Sequence, residues 1–366
     1  MRFSVVKEVI LDELQLLQGI VEKRNTMPIL ANILIGVGED KVEMTGTDLE
    51  VGLRTHFPVK TEGPGSITVS GKKVFEIVKS LPDERMITFE ENDDLMMEIS
   101  SGKSEFKVLC LPKEDYPMVP EASFEKRIVL PLEKFQEMID RVYFAIAQEQ
   151  RYYLNGALLI LKKEAIELVS TDGHRLSYTS TFVDGLDPEQ EVRVIVAKKS
   201  LGELRKMTND AVEFDHNENN LFFRVGNRML ISRIIESKFP NFEAVIPKEN
   251  PHLLRVAREE FTQAIRRVSL LSAERSRGVK FSIAKGSLRL FSSNPEIGEA
   301  RDDLEVDYKG PDLEVGFNSQ YLLDFLLSIR SERIRLELKD ENSAAIMKPD
   351  LDEDIKYTYV LMPMKI

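Results

Sequence analysis

At 366 residues the chain exceeds what one typical hydrophobic core organises, which predicts two or three domains. Its 42% hydrophobic and 31% charged residues form an ordinary globular balance that excludes disorder, and no run approaches the roughly 18 apolar residues of a membrane helix. A net charge of −12 argues against nucleic acid as a partner, because non-specific affinity comes from Lys and Arg neutralising phosphates, unless the basic residues are concentrated locally.

The opening residues Met1–Lys7 hold neither an uninterrupted apolar run nor a small-residue cleavage site. The single cysteine, Cys110, has no intramolecular disulfide partner, so a cytoplasmic, reducing compartment is expected. Next, Ile10, Leu14, Leu17 and Val21 recur at helical spacing, followed by an apolar strand over Ile33–Val37 and an alternating strand carrying Val42 and Met44. A strand with Ile67 and Val69 then leads into a helix with Val74, Ile77 and Leu81. Proline and acidic residues cluster at Leu111–Pro117, as in a linker.

The same order then repeats. A helix carries Phe135, Met138 and Val142, strands cover Ala157–Leu161 and Ile166 to Leu168, another strand holds Val192, Val194 and Val196, and a helix holds Leu201, Leu204 and Met207. After a second proline-rich segment, Ile246–Pro251, the third copy uses Phe261, Ile265 and Val268, strands Val279–Ile283 and Leu288 to Leu290, a strand with Leu313, Val315 and Phe317, and a helix with Leu322, Phe325 and Ile329. Thr47-Asp48, Thr171-Asp172 and Ser293-Asn294 close the alternating strand of each copy at a period of about 120 residues. The expected fold class is α+β, with three similar domains over residues 1–120, 121–250 and 251–366. Each domain is two β-α-β-β-β-like units, with helices on one side and sheets on the other. Three such domains need not close, whereas a symmetric dimer of six gives a ring.

The helices are locally basic. Lys198, Lys199, Arg205 and Lys206 face a single Glu203, and Lys72, Lys73 and Lys79 face a single Glu76; residues 255–277 carry six arginines against Glu259, Glu260 and Glu274. Two readings stand: ordinary solvated helix faces, or a helical surface against which duplex DNA lies while the acidic remainder repels it. Contact of the second kind is weak, salt-sensitive and sequence-independent.

No metal or catalytic motif emerges. His56, His174, His216 and His252 are scattered without zinc-ligand spacing, and the chain lacks a Walker A loop, a Gly-x-Gly-x-x-Gly fingerprint and a Gly-x-Ser-x-Gly elbow; no cofactor or metal is expected. Thr171-Asp172-Gly173-His174-Arg175 offers a carboxylate, an imidazole and a guanidinium, but its counterparts Thr47-Asp48-Leu49-Glu50 and Ser293-Asn294-Pro295-Glu296 keep the polar pair and lose the histidine. A strand-end turn in which a side-chain oxygen accepts backbone N–H groups, presenting His174 and Arg175 to a ligand, is preferred over a hydrolase using Asp172 and His174.

At this motif the chain resembles the bacterial sliding clamp family, the DNA polymerase III β subunits, along its whole length. The resemblance rests on Thr26–Asn32, Arg151–Gly156, Thr171–Leu176, Lys238–Phe242, Gly316–Asn318 and the terminal Tyr359–Ile366, in order and at this chain length. It implies the DNA-clamp fold and a non-catalytic, head-to-tail homodimeric ring, opened and closed by an ATP-driven clamp loader, that slides along duplex DNA and tethers polymerases and repair proteins. A partner-peptide pocket between the second and third domains is implied at Leu154, Thr171, Gly173, His174, Arg175, Leu176, Pro240, Val245, Val360, Met362, Pro363 and Met364. The apolar ending Val360–Met364 independently calls for docking, because chain ends are usually polar and frayed. Ala244 and Lys365-Ile366 depart from the family's common residues, which touches peptide preference.

The same similarity points to Arg24, Gln148, Tyr152, Tyr153, Lys198 and Lys199 for DNA, the tyrosines reading equally as strand-entry core. It points to Phe106, Leu270 and Leu271 as the apolar centre of the ring interface, with Lys73 and Lys103 facing Glu296, Glu299 and Asp302. Glu105 and Arg301 stand where the opposite charges are common, which suggests a charge swap. A specialised paralogous clamp and a peptide-binding repeat scaffold that never surrounds DNA remain open alternatives.

Overall fold

The computed structural model describes residues 1–21, 27–83, 85–92, 95–148, 152–274, 276–351 and 353–365, with Tyr152 described by its backbone. In chain order the elements are β1 (Arg2–Val6), α1 (Lys7–Ile20), β2 (Asn32–Val37), β3 (Lys41–Thr47), β4 (Val51–Pro58), β5 (Thr61–Glu62), β6 (Gly65–Ser70), α2 (Gly71–Ser80), β7 (Met86–Glu91), β8 (Met96–Ser101) and β9 (Ser104–Leu111). There follow β10 (Ile128–Pro131), α3 (Leu132–Tyr143), β11 (Gly156–Lys162), β12 (Ala165–Thr171), β13 (Arg175–Phe182), β14 (Val192–Ala197), α4 (Lys198–Leu204), β15 (Ala211–His216), β16 (Asn220–Val225) and β17 (Arg228–Arg233). The last third holds β18 (His252–Ala257), α5 (Arg258–Ser269), β19 (Gly278–Ala284), β20 (Ser287–Asn294), β21 (Gly298–Glu305), β22 (Asp307–Tyr308), β23 (Leu313–Asn318), α6 (Ser319–Leu327), β24 (Arg333–Leu338), β25 (Ala345–Pro349) and β26 (Ile355–Leu361). The expected helices and strand pairs fall on these elements, except that Val21, Leu81, Met207 and Ile329, each placed on a helix stripe, lie just beyond the C-terminal ends of α1, α2, α4 and α6.

The repeat is expressed as sets of four strands, each an antiparallel meander of three plus one strand beside its first member. The expected β-α-β-β-β unit is modified in one respect: the strand entering each helix crosses to the other meander of its copy. Thus β1 precedes α1 but pairs with β7, and β6 precedes α2 but pairs with β2. The same exchange places β10 on β15, β14 on β11, β18 on β24 and β23 on β19. Sequence periodicity reports which residues face a core, not which distant strand supplies the ladder, so the exchange was not visible beforehand.

The chain forms two compact units. The first comprises Met1–Glu133 and Lys199–Ile234, and its thirteen strands form one sheet in the order β10-β15-β16-β17-β4-β3-β2-β6-β9-β8-β7-β1-β5. There α1 buries Ile10, Leu14 and Leu17 completely and packs against α2. The Lys7 ammonium, buried beside α1, donates to the carbonyls of Lys79 and Leu81 and pairs with Asp83 at 2.7 Å, which satisfies the C-terminal end of α2. At the other end of α2, the Ser70 Oγ accepts the Lys73 N–H at 3.4 Å.

The second unit comprises Lys134–Lys198 and Ile235–Ile366 and holds a nine-stranded sheet, β14-β11-β12-β13-β26-β25-β24-β18-β22, and a four-stranded sheet, β21-β20-β19-β23. One of its core clusters gathers α5, α6 and their strands around Phe281, which meets Phe261 and Phe317 edge-on at 5.8 and 5.3 Å. Truncating such a ring costs about 3 to 5 kcal/mol. Asn318 caps α6 by accepting the N–H groups of Gln320 and Tyr321. Among the described residues no helix is long and apolar enough to cross a membrane.

Candidate partner-binding site

The Thr171–Arg175 segment forms a tight turn for the reason its side chains suggest. Asp172 Oδ1 accepts the N–H groups of His174 and Arg175 at 3.0 and 3.1 Å; Thr171 Oγ1 accepts the Gly173 N–H at 3.1 Å and donates to the Arg175 carbonyl at 2.6 Å. Gly173 takes φ 91°, a left-handed conformation that favours glycine. With Oδ1 taken by backbone N–H groups and Oδ2 by Arg175 Nε, Asp172 is not poised as a catalytic base, and the segment forms the expected strand-end turn.

Beyond the turn, β13 is clamped by the chain's terminal strand. Arg175 lies opposite Leu361 and Leu176 opposite Val360, and past the strand the Met362 N–H donates to the His174 carbonyl at 3.1 Å. The apolar terminus is therefore docked, as its composition required, and Met364 N–H is further tied to the Gly316 carbonyl at 2.9 Å. Leu176 and Val360 join one buried cluster with Leu158, Ile160, Phe242 and Ile235, with Tyr178, Phe239 and Ile246 partly buried at its margin. This apolar floor carries an exposed polar and soft rim: His174 is exposed, and Met362 is 44% exposed.

Arg175 occupies a different place from the one expected. It is only 9% exposed, and its guanidinium donates to Asp172 Oδ2 at 2.9 Å, to Asp324 Oδ2 at 2.6 Å and to the Phe144 carbonyl at 2.6 Å while stacking over Tyr321 at 4.2 Å. A fork so fully engaged positions the turn and is not presented to a ligand. Of the other expected peptide contacts, Leu154 is buried in a short 3-10 turn, Pro240 and Val245 are exposed on either side of the cluster member Phe242, and Pro363 is half-buried. Reading the sequence missed Asp324, which lies 149 positions from Arg175, and the Phe242 wall.

The residues expected at DNA are scattered in character. Arg24 lies outside the described residues, as does the Tyr152 side chain; Gln148 is exposed and Tyr153 half-buried. Lys198 donates to the Ile146 carbonyl at 3.1 Å and lies over the Tyr143 ring, and burial, with the neighbouring Arg175 charge, pushes its ammonium below the ordinary lysine range. Lys199 is committed to Asp48 at 2.5 Å and the Ile20 carbonyl at 2.8 Å. Both ammonium groups thus spend part of their donor capacity on internal acceptors, which a charge count cannot reveal.

At the expected interface, Leu270 stands 77% exposed, Leu271 and Phe106 are partly buried, and Lys103, Glu296 and Glu299 are exposed. Lys73 pairs with Glu76 at 2.9 Å, lowering the Glu76 pKa, and Asp302 pairs with Arg267 at 2.6 Å. Glu105 meets Lys107 at 3.5 Å and Arg301 meets Asp303 at 3.7 Å, so each half of the suspected charge swap has a partner within its own strand.

The sheet architecture is that of the class of DNA clamps. Family models of the DNA polymerase III beta subunit match residues 1–120 (N-terminal domain), 129–241 (central domain) and 243–365 (C-terminal domain). The chain is 37% identical to the beta sliding clamp of Pseudomonas putida and 33% identical to that of Escherichia coli, in each case over 100% of both chains. The crystal structure of the Pseudomonas aeruginosa sliding clamp bound to griselimycin superposes with a TM-score of 0.94 at 34% identity, covering both chains completely. The chain belongs to the DNA polymerase III β subunit family, the sliding clamps, which are processivity subunits and not catalysts.

Proposed function

We propose that two copies of this chain close head to tail into a ring around duplex DNA, and that the ring tethers polymerases and repair proteins. The observation that carries the proposal is an unfilled place in the repeat. The strand after the Thr47 turn, β4, pairs with β17, and the strand after the Thr171 turn, β13, pairs with β26; β21, their counterpart after Asn294, has no outer partner among the described residues. The strand type that fills this place, the last of a meander, recurs as β9, and residues 104–109 of β9 also have one unpaired edge. An open edge is a hazard that proteins cover, and β9 of a second copy laid on β21 covers both edges at once.

That pairing sets domain 1–120 of one subunit against domain 251–366 of the other, with 121–250 between them. Phe106, Leu270 and Leu271 then form the apolar centre, and Lys73 and Lys103 face Glu296, Glu299 and Asp302. Topology explains how a chain of net charge −12 stays on DNA with only weak contacts from Arg24, Gln148, Tyr152, Tyr153, Lys198 and Lys199. Loading needs an opener, an ATP-driven clamp loader, and the protein works in the cytoplasm.

The partner segment is a short peptide with apolar side chains, received by Leu154, Thr171, Gly173, His174, Leu176, Pro240, Val245, Val360, Met362, Pro363 and Met364, with Arg175 holding the turn. Support comes from the apolar Leu176–Val360–Phe242 floor beneath an exposed His174–Met362 rim. Sedimentation velocity tests the ring: the native protein is expected at twice the chain mass and Phe106→Glu at the chain mass. A monomeric native protein at micromolar concentration contradicts the reading.

A further inference from the structure

The turn Thr47-Asp48-Leu49-Glu50-Val51 reproduces the Thr171 turn bond for bond. Asp48 Oδ1 accepts the Glu50 and Val51 N–H groups at 2.9 and 2.6 Å; Thr47 Oγ1 accepts the Leu49 N–H at 3.0 Å and donates to the Val51 carbonyl at 3.1 Å. Beyond it β4 pairs with β17, Val51 opposite Ser232, and the Arg233 N–H donates to the Glu50 carbonyl at 2.7 Å, as Met362 does to His174. The first unit therefore builds a second copy of the partner-binding framework, and a cavity of about 320 Å³ opens on it, lined by Leu49, Glu50, Met118, Asn220, Ile231 and Arg233 among others.

Three features of this cavity are not required by the fold, and the first of them carries a conformational cost. Leu49 holds φ 79° where its counterpart is Gly173, a conformation unfavourable for a side chain with a Cβ. Leu49 is also 51% exposed, and Met118 is 98% exposed. The third is Arg233: its guanidinium has no ion pair among the described residues, whereas Asp48 is neutralised by Lys199. Strained, solvent-facing apolar residues beside an unpaired cation match the needs of a ligand with an apolar side chain and a carboxylate.

We propose that this cavity is a second docking site for a short extended peptide, taking a leucine or phenylalanine against Leu49, Met118 and Ile231 and an adjacent Asp or Glu carboxylate on Arg233. The peptide class rests on the reading of the Thr171 site as a peptide site; the chemical preference follows from Leu49, Met118 and Arg233 alone. Two sites on one chain let one clamp hold two partner segments, and linked segments bind with the advantage of high effective concentration.

Methyl NMR of protein labelled at methionine reports the sites separately, through Met118 here and Met362 at the other, with the signals assigned from Met118→Leu and Met362→Leu. The probe is an acetylated Gln-Leu-Asp-Leu-Phe-Asp peptide, compared with the same peptide carrying Asn for both Asp. Saturable movement of Met118 is expected, with affinity falling about tenfold for the Asn peptide and for Arg233→Glu, as loss of a charge-assisted hydrogen bond dictates. Leu49→Gly relieves the strained φ, so it is expected to raise the melting temperature while weakening the Met118 response. A still Met118 with a moving Met362 overturns the second site and leaves the first intact; a still Met362 with a moving Met118 does the reverse. If neither moves, both fall, and a Met118 response indifferent to Arg233→Glu and to the Asn peptide overturns the proposed recognition.

Discussion

Arg175 Nη1 and Asp324 Oδ2 lie 2.6 Å apart, joining a turn at the end of β12 to the middle of α6 across 149 positions of sequence. Both side chains are largely removed from water, so removing one partner leaves an uncompensated charge, which costs about 3 to 5 kcal/mol. Arg175→Ala is expected to lose that much in urea unfolding, and Asp324→Asn less, because the Asp172 and Phe144 contacts remain. A loss below about 1 kcal/mol for Arg175→Ala, the range of an exposed ion pair, contradicts the anchoring role.

Met362 is the opposite case. Its backbone is fixed by His174 while its side chain is 44% exposed, so Met362→Ala is expected to change stability by less than about 1 kcal/mol. It is expected to weaken a bound partner peptide several-fold. Fluorescence anisotropy against a labelled leucine–phenylalanine peptide separates the two effects, and unchanged peptide affinity removes the terminal segment from the site.

The exposed Leu270 predicts an interface without being needed by the fold. Leu270→Glu is expected to keep its melting temperature at low protein concentration within a few degrees and to shift the oligomer to monomer. Light scattering that finds both proteins at the same mass contradicts an interface at α5.

Burial pushes the phenols of Tyr116, Tyr357 and Tyr359 up, Tyr357 to about 12. Each favours its protonated form when folded, so the associated stability is fully present below the unfolded tyrosine value of about 10 and is lost as pH rises through the folded one. The urea midpoint is therefore expected to be flat to about pH 9.5 and to fall steeply toward pH 12. Tyr357→Phe, which gives up a 2.8 Å bond to the Arg141 carbonyl, starts about 1 kcal/mol lower and falls less steeply. An equal slope for both proteins contradicts this origin.

Local chemistry was legible in the sequence and long-range pairing was not. The helix stripe Ile10, Leu14 and Leu17 and the strand alternation around Val42 announced a buried face, because burial imposes periods of 3.6 and 2 on the residues themselves. Thr171-Asp172 announced its turn, because the acceptor and the donors it satisfies lie within four residues. Asp324 and the β1 to β7 ladder carried no such mark, since nothing in a local pattern says which distant segment completes it. Charge was misleading in the same way: Lys199 looked like a free cation until the fold set Asp48 beside it.

The central claim is a topological link to DNA, and retention on nicked circular plasmid after loading by a clamp loader tests it most directly. Protein loaded on the circle is expected to survive gel filtration and to be released when the same plasmid is linearised. Equal retention on circular and linear DNA contradicts a sliding ring and leaves ordinary electrostatic binding as the link.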